Sequence, residues 1–180
     1  MIAVTKESPE VYYAAERLSV VGPAEIAFLK QRAFENPRKR CRLCTHASPD
    51  DEMQEMLIVH HRECYVRPHR HRRKAESLHV IEGAAEVVVF DERGAVSEAF
   101  EVAEGGSPAS FYYRMPPMRY HMLIIKTEWF VFHEVVRGPF VRGETEFPHW
   151  APDGAESAPV AAFLATVADL FPERSVVSRD

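Results

Sequence analysis

The chain of 180 residues is poor in cysteine and has no excess of positive charge. Three cysteines are an odd number, which does not suit a disulfide framework, and a formal net charge of −5 argues against a dedicated nucleic-acid-binding protein. No apolar run approaches the roughly 18 residues that a membrane-spanning helix needs. The N-terminus has no basic stretch followed by an apolar one, so no secretory signal is evident and we expect a cytoplasmic protein.

The composition that remains is ordinary for a globular domain, with 46% hydrophobic and 27% charged residues. A chain of this length can bury a core and suits one domain. A helix is predicted over residues 23–35, because Pro23 suits a first helical turn and apolar residues recur near one face. Asn36 should end this helix, since a residue that precedes proline avoids the helical conformation.

Between residues 53 and 136, short apolar runs rich in Val, Ile, Phe and Tyr alternate with turn signals. The predicted strands are MLIV (56–59), CYVRP (64–68), LHVI (78–81), AEVVVF (85–90), AFEV (99–102), ASFYY (109–113), HMLII (121–125) and WFVFHEVV (129–136). This pattern is typical of an antiparallel sandwich or barrel, and DERG at 91–94 predicts a hairpin. A second helix is predicted over 157–171, and its Ala-rich face is suited to packing on the barrel or on another copy.

Two histidines and a glutamate in the segment HRHRRKAE form the clearest candidate site. Residues two apart in a strand share a face, so His69 and His71 point the same way, and Glu76 follows a short turn. Two imidazoles and a carboxylate suit Zn, Fe, Mn or Ni. His121 opens a predicted strand and would complete a mononuclear site, so we expect one divalent transition metal per chain.

Four further side chains are candidates for holding a substrate beside this metal. Tyr65 and Arg67 share the parity of the first histidine, so they would line the barrel mouth, where a guanidinium can pair with a carboxylate or phosphate. Arg119 stands two residues before the last histidine and has the same parity. Tyr113 is a further candidate for the pocket wall. The alternative for each of these residues is a packing role.

His133 and Glu134 are adjacent in a predicted strand, so one of them must face the interior. The sequence does not decide which one, and either is a candidate second-layer partner or general acid or base. Arg70 and the basic run 72–74 alternate away from the ligands or lie in the turn, so a solvated rim is the favoured interpretation.

The three cysteines raise the alternative of a second metal site. Cys41 and Cys44 form a single CxxC pair, which is a weak indication of zinc, and in a strand they would face opposite ways. Buried apolar thiols are therefore favoured for both and for Cys64.

The spacing of the candidate ligands resembles the two motifs of the cupin superfamily. The residues that match the first motif are His69, His71, Glu76 and Gly83. PPMRYH (116–121) is similar to the second motif, with its first proline and its histidine in register. Glu63 and Met118 stand where the motifs have glycine, and Ile125 stands where the second motif often has asparagine. These three are turn and packing positions, and none is a ligand.

A wider resemblance, over roughly residues 25–152, is to the WbuC-type cupin fold metalloprotein family. The segments that carry it are CRLCTH, DEMQEMLIV, YVRPHRH, VVVFDERG, FHEVVRGPF and HWAP. It implies a mainly all-β chain whose cupin double-stranded β-helix, or jelly-roll barrel, spans 41–150. An N-terminal helical segment (1–40) would pack on the barrel, and a C-terminal extension (151–180) would hold a short helix.

The resemblance also implies a mononuclear-metal cupin, and we expect an isomerase, epimerase or dioxygenase type of metalloenzyme. Its substrate would be small and anionic or polyhydroxylated, such as a sugar or nucleotide-sugar derivative of surface-polysaccharide metabolism. The alternative is a cupin that binds a small ligand through its metal without turnover. We expect a homodimer, as is common for cupins, and no partnership with nucleic acid or a membrane.

Overall fold

The computed structural model describes residues 1–169, which form a mainly antiparallel β structure with two helices. The helices are α1 (Pro23–Glu35) and α2 (Ser157–Asp169). The strands are β1 (Val4–Ser8), β2 (Val11–Ala14), β3 (Arg40–Cys44), β4 (Met53–His61), β5 (Arg70–His71), β6 (Glu76–Glu82), β7 (Ala84–Phe90), β8 (Val96–Ala103), β9 (Tyr112–Met115), β10 (Tyr120–Ile125), β11 (Trp129–Arg137) and β12 (Thr145–Glu146). The end of the predicted second helix, and with it the end of the predicted extension, lies outside the described residues.

Two sheets form the body of the fold. Seven strands pair in the order β1-β2-β3-β4-β11-β6-β9, and three pair in the order β10-β7-β8. All neighbours are antiparallel except β2 and β3, and the predicted hairpin at 91–94 joins β7 to β8. A third, two-stranded ribbon pairs β5 with β12. Two facing sheets around one core confirm the predicted all-β jelly-roll barrel.

The main core lies between the inner faces of the two sheets. In β4, β6 and β11 the even-numbered residues point inward, as the burial of Ile58, Leu78 and Phe132 shows. In β7 the odd-numbered positions, such as Val87, face them. This period of two is the strand signal that the sequence carried, and it fixes which polar residues also enter the barrel.

The outer face of the seven-stranded sheet is partly covered by α1. Leu29 and Ala33 of the helix are fully buried against this sheet. The Glu25 carboxylate accepts a hydrogen bond from the backbone N–H of Gly22, at 2.9 Å, and so fixes the residue that precedes the helix. Asn36 is extended, with ψ of 134°, so the helix begins and ends as predicted.

The outer face of the three-stranded sheet is covered by α2. Val167 of this helix is buried, and it packs with Val88 and Phe90 of β7 and with Tyr120 and Met122 of β10. The sequence left open whether this helix packs on the barrel or on another copy, and the structure places it on the barrel. Within residues 1–169, neither helix has the length and apolarity that crossing a membrane requires.

Two parts of the strand prediction need correction. CYVRP (64–68) is not a strand: the Cys64 N–H closes a turn onto the His61 carbonyl at 2.8 Å, and Pro68 has no N–H to donate to a ladder. Strands β1, β2 and β3 were not predicted: the three middle residues of β1 are exposed, and β2 and β3 are only four and five residues long.

Candidate metal centre

Three side chains from distant parts of the sequence meet inside the barrel. The ligand atoms of His69, Glu76 and His121 all lie within 4.8 Å of one another. Glu76 begins β6 with its side chain inward, and His121 belongs to β10. His69 precedes β5 and is held beside His121 by two backbone hydrogen bonds, of 3.0 and 2.9 Å. Pairing of these two segments therefore brings the two predicted motifs together.

The carboxylate of Glu76 lies between two imidazoles. Its Oε1 is 2.7 Å from Nε2 of His121, and its Oε2 is 3.0 Å from Nε2 of His71. Ligands about 2.1 Å from one metal ion and at right angles to each other lie about 3 Å apart. The spacing of these atoms thus fits a mononuclear site. The fourth predicted ligand, His71, contacts the other three only through its short distance to the Glu76 carboxylate.

Backbone carbonyls hold two of the imidazole rings in the orientation that metal binding needs. Nδ1 of His69 donates to the carbonyl oxygen of Arg67 at 2.9 Å, and Nδ1 of His121 donates to that of Arg119 at 3.0 Å. With Nδ1 protonated, each ring can present its Nε2 lone pair to a metal. In both motifs the carbonyl that accepts this hydrogen bond belongs to an arginine two positions before the histidine.

The charges of the site suit a cation. Burial alone would raise the pKa of Glu76, but the neighbouring imidazoles, His121 foremost, hold it well below its usual range. Burial lowers the pKa of His69 to about 4, so this ring is neutral near pH 7. For His121, the Glu76 carboxylate outweighs burial and raises the pKa. The ionised carboxylate of Glu76 and the neutral ring of His69 are forms that bind transition metals, and a metal would displace a proton from His121.

Alternation along β11 decides between His133 and Glu134. Glu134 faces the interior, where burial and then the charge of Glu76 raise its pKa to about 8. His133 faces outward and lines a surface depression of about 550 Å³ with His79. Its Nε2 is 4.0 Å from Oε1 of Glu55. Only Glu134 of the pair is therefore near the metal ligands.

Tyr65 and Arg67 are engaged with a segment near the C-terminus of the described chain. The hydroxyl of Tyr65 donates to the Pro152 carbonyl at 3.0 Å. The Arg67 guanidinium donates to the Ala151 carbonyl at 3.2 Å and lies 4.9 Å from the Phe147 ring centre. Both side chains thus anchor this segment.

Arg119 and Tyr113 differ in burial, since the Arg119 side chain is partly exposed and that of Tyr113 is buried. The Arg119 side chain is at the surface, where it forms an ion pair with Glu98. Tyr113 is buried in the main core against the Phe100 ring, and burial raises the pKa of its hydroxyl, with the charge of Glu76 adding to the effect. Tyr113 is therefore an interior neighbour of the site, whereas the side chain of Arg119 points to the surface.

Residues 139–152, here called the strap, run beside His69 and His71, and nothing in the sequence predicted this contact. In its strand β12, Thr145 pairs with His71, and its Oγ1 is 3.3 Å from Nδ1 of that ring. The ring of Phe147 lies 6.2 Å from that of His69. These residues follow His71 by more than seventy positions in a Pro- and Gly-rich stretch, so no local pattern marks them.

The cysteines do not form a second metal site with one another. All three are free and buried, with Cys41 under α1 and Cys44 in the main core, on opposite faces of β3. Burial raises the pKa of Cys41 to about 12 and that of Cys64 to about 11. The prediction of buried apolar thiols is confirmed.

Comparison with known proteins gives one family match and a set of structural neighbours. Residues 23–102 match a domain of unknown function, DUF6016, and no curated protein matches the chain. Among solved structures, oxalate decarboxylase from Bacillus subtilis is similar, with 19% identity over 60% of this chain and 27% of that chain, at a TM-score of 0.43. A sugar phosphate isomerase from Acidithiobacillus ferrooxidans is 16% identical over 49% of this chain and 51% of its own, at 0.39.

A third neighbour is procruciferin, an 11S globulin from Brassica napus, with 17% identity over 49% of this chain and 21% of that chain, at a TM-score of 0.41. The chain spans about a quarter of the length of the oxalate decarboxylase it matches.

Proposed function

We propose that this chain is a mononuclear metalloenzyme built on a cupin barrel. The ligands of its divalent transition metal, which is Fe, Mn, Zn or Ni, are His69, His71, Glu76 and His121. One observation carries the proposal: the Glu76 carboxylate lies within 3.0 Å of two Nε2 atoms, and carbonyl oxygens orient two of the rings. Such outer support is typical of metal-binding histidines.

The chemistry of the site follows from this ligand set and from what surrounds it. A metal bound there supplies Lewis-acid polarisation of a carbonyl or hydroxyl group, or redox chemistry, which matches an isomerase, epimerase or dioxygenase type. Glu134 is the nearby carboxyl whose pKa of about 8 keeps its proton at neutral pH, so we assign it the role of proton donor to a bound substrate. A Glu134→Gln variant should keep its metal but lose turnover.

The proposed substrate is small and anionic or polyhydroxylated, such as a sugar or nucleotide-sugar derivative. Support comes from the resemblance of segments such as YVRPHRH and FHEVVRGPF to the WbuC-type cupins, which are often associated with surface-polysaccharide genes. Arg67 and Tyr65 are hydrogen-bonded to the strap, so in this proposal they contact the substrate only after the strap has shifted. An Arg67→Ala variant with unchanged ligand affinity would remove this part of the proposal.

A second candidate is a metal-dependent binding module without turnover. The observation that favours it is the strap, because Phe147 lies beside the His69 ring and so narrows the approach to the metal. Candidate sugars should be screened for a thermal shift and for product in the same samples. Binding with no product from any bound sugar would select the module over the enzyme.

Elemental analysis of protein purified without a metal-affinity tag tests the metal centre. We expect about one Fe, Mn, Zn or Ni per chain in the wild type and in a His133→Ala control, and loss of it in His121→Ala. Fe or Mn would direct assays to redox and oxygen chemistry, and Zn to isomerase chemistry. Wild-type protein without metal would contradict the proposal.

We further propose that the protein is a cytoplasmic homodimer. Three free, buried thiols suit a reducing compartment, and pairing of edge strands would cover β9 or β8. Light scattering should then give a mass near twice the 20.5 kDa of the chain. A monomer at micromolar concentration would overturn the dimer and would leave the metal centre unaffected.

A further inference from the structure

A second depression, of about 450 Å³, lies on the outer face of the seven-stranded sheet. Its basic lining residues are Arg73, Lys74, Arg114 and Arg137. On this face Arg114 of β9 stands opposite Ser77 of β6, and Ser77 stands opposite Val135 of β11. Arg137 is two residues further along β11 and so shares the face of Val135. Three guanidinium groups are therefore gathered at one concave surface.

The arginines of this depression differ from the basic residues around them. Arg70, Lys74 and Arg119 each have a carboxylate partner, and Lys74 also donates to the Pro139 carbonyl at 3.2 Å. Among residues 1–169, the side chains of Arg73, Arg114 and Arg137 form neither ion pairs nor hydrogen bonds.

Guanidinium groups on one concave surface repel each other, and the chain as a whole is acidic, with a net charge of −5. The acidic residues that also line the depression are Glu52 and Glu76, and Glu76 is already bonded to two imidazoles. The surplus of positive charge at this place is therefore left without a partner from the described chain.

We propose that this depression binds the oxyanion group of a small molecule, such as a phosphate or diphosphate ester. Guanidinium groups match such groups because they donate paired hydrogen bonds in a plane. The volume of the depression is in the range of small-molecule sites. This site lies beside the metal centre, since Glu76 also lines the depression, but it does not depend on the enzyme proposed above.

The position of the site connects it to the metal centre. Arg73 belongs to the turn 72–75, which joins the ligands His71 and Glu76, and Pro117 of the second motif also lines the depression. In addition, the Met118 N–H donates to the His71 carbonyl at 2.8 Å. This hydrogen bond joins the loop before His121 to the start of the turn 72–75. An anion held here contacts the two loops that carry the ligands.

Calorimetric titration of the full-length protein with inorganic pyrophosphate tests this site. The variants are Arg114→Gln, Arg137→Gln and, as a matched control, Arg93→Gln, which alters an exposed arginine of the turn between β7 and β8. Loss of one charge-assisted contact should weaken binding about tenfold in each of the first two variants and leave the control unchanged. A His121→Ala sample forms a further arm.

The outcomes separate this site from the metal centre. Pyrophosphate binding that survives in His121→Ala and weakens in Arg114→Gln and Arg137→Gln supports the proposal. Binding that is lost in His121→Ala but retained in the two arginine variants would show that the anion is bound at the metal, and the proposal would be overturned. No binding, or equal weakening in Arg93→Gln, would overturn it as well.

Discussion

Met118 adopts a backbone conformation that residues other than glycine rarely have, with φ of 64°. It stands where the second cupin motif has glycine, and it bonds through its N–H to the His71 carbonyl. The turn thus keeps the glycine geometry although the glycine is absent. For a residue with a Cβ atom this conformation costs about 1–2 kcal/mol.

Met118→Gly is therefore expected to stabilise the protein, by up to about 1 kcal/mol after the greater chain entropy of glycine is subtracted. Urea unfolding of wild type and variant measures the difference. Met118→Ala serves as the control, because alanine keeps the Cβ atom and should give no gain. A gain of equal size in both variants would show that removal of the half-exposed methionine side chain, and not backbone conformation, is responsible.

His60 is a second residue whose surroundings determine its behaviour. It is 6% exposed on the inner face of β4, with its ring 5.3 Å from that of Phe132. Its Nδ1 is buried and has no partner among the described residues. Burial, followed by the nearby charge of Arg40, lowers its pKa to about 3. The folded protein therefore keeps this ring neutral well below pH 6.

His60 should make the protein less stable as the pH falls. A histidine in the unfolded chain has a pKa of about 6.5. Between that pH and about 3, His60 is therefore protonated in the unfolded chain but neutral in the folded one, which favours unfolding. From about pH 7 to about pH 5 this costs about 2 kcal/mol. In metal-free samples, His60→Leu should lose that much less stability on urea unfolding, whereas a control change of exposed His149 to Leu should behave as wild type. Equal acid sensitivity in all three would contradict the role of His60.

At the scale of elements, the strap depends on its ribbon of β5 and β12. Glu146 forms ion pairs with Arg70, at 2.6 Å, and with Arg72. These hydrogen bonds, Arg72 first, lower the pKa of the Glu146 carboxyl. The ribbon also sets Thr145 beside His71, so loss of these ion pairs should loosen a support of this proposed metal ligand.

Glu146→Gln should speed amide hydrogen exchange across the strap and shorten the time in which a chelator removes the metal. The reason is that the neutral amide loses the charge attraction that keeps β12 on β5. Glu98→Gln is the matched control, because it removes the more exposed ion pair with Arg119. If exchange in the strap were equally slow in both variants, the ribbon would owe its position to the backbone pairing alone.

Gly83 shows how an element boundary constrains one residue. It lies in the turn between β6 and β7 with φ of 81°, and a Cβ atom there would be 2.1 Å from the Trp129 carbonyl oxygen. The glycine of the first motif is therefore required by close approach of β11. The spacing between Glu76 and Gly83 equals the length of β6, because Glu76 begins this strand and Gly83 follows its last residue.

At the scale of the whole molecule, the proposed metal centre can form only when the barrel is closed. The proposed ligands come from β5 and the residue before it, from β6 and from β10, and these three strands belong to three different sheets. An unfolded chain cannot hold them together, so metal binding should add to the free energy of unfolding.

Removal of metal by a chelator should therefore lower the melting temperature of the wild type. A metal present at one hundred times its dissociation constant contributes about 2.7 kcal/mol of stability. Differential scanning calorimetry with and without chelator measures this effect, and His121→Ala should show no response. A control His133→Ala should respond as the wild type does, since that ring faces the outer surface. A wild type whose melting ignores chelators would argue against a bound metal.

The sequence predicted the first helix, most strands of the barrel and the convergence of His69, Glu76 and His121. These features follow from local rules, because apolar alternation identifies strands and the spacing from His69 to Glu76 places ligands around one short turn. The wrong strand prediction for CYVRP (64–68) has a local cause as well. Its residues alternate like those of a strand, but they pair with no neighbouring strand. The unpredicted β1 has a weak pattern because it is an exposed edge strand.

The sequence by itself determined the β architecture, the set of candidate ligands and the burial of the thiols, because each depends on side-chain type and periodicity within a few residues. Only the tertiary structure decided that Glu134 and not His133 faces the ligands, that α2 covers the small sheet and that the strap returns to His71. These contacts join segments far apart in the chain, and their geometry depends on strand register and loop path. No short stretch of sequence encodes such distances.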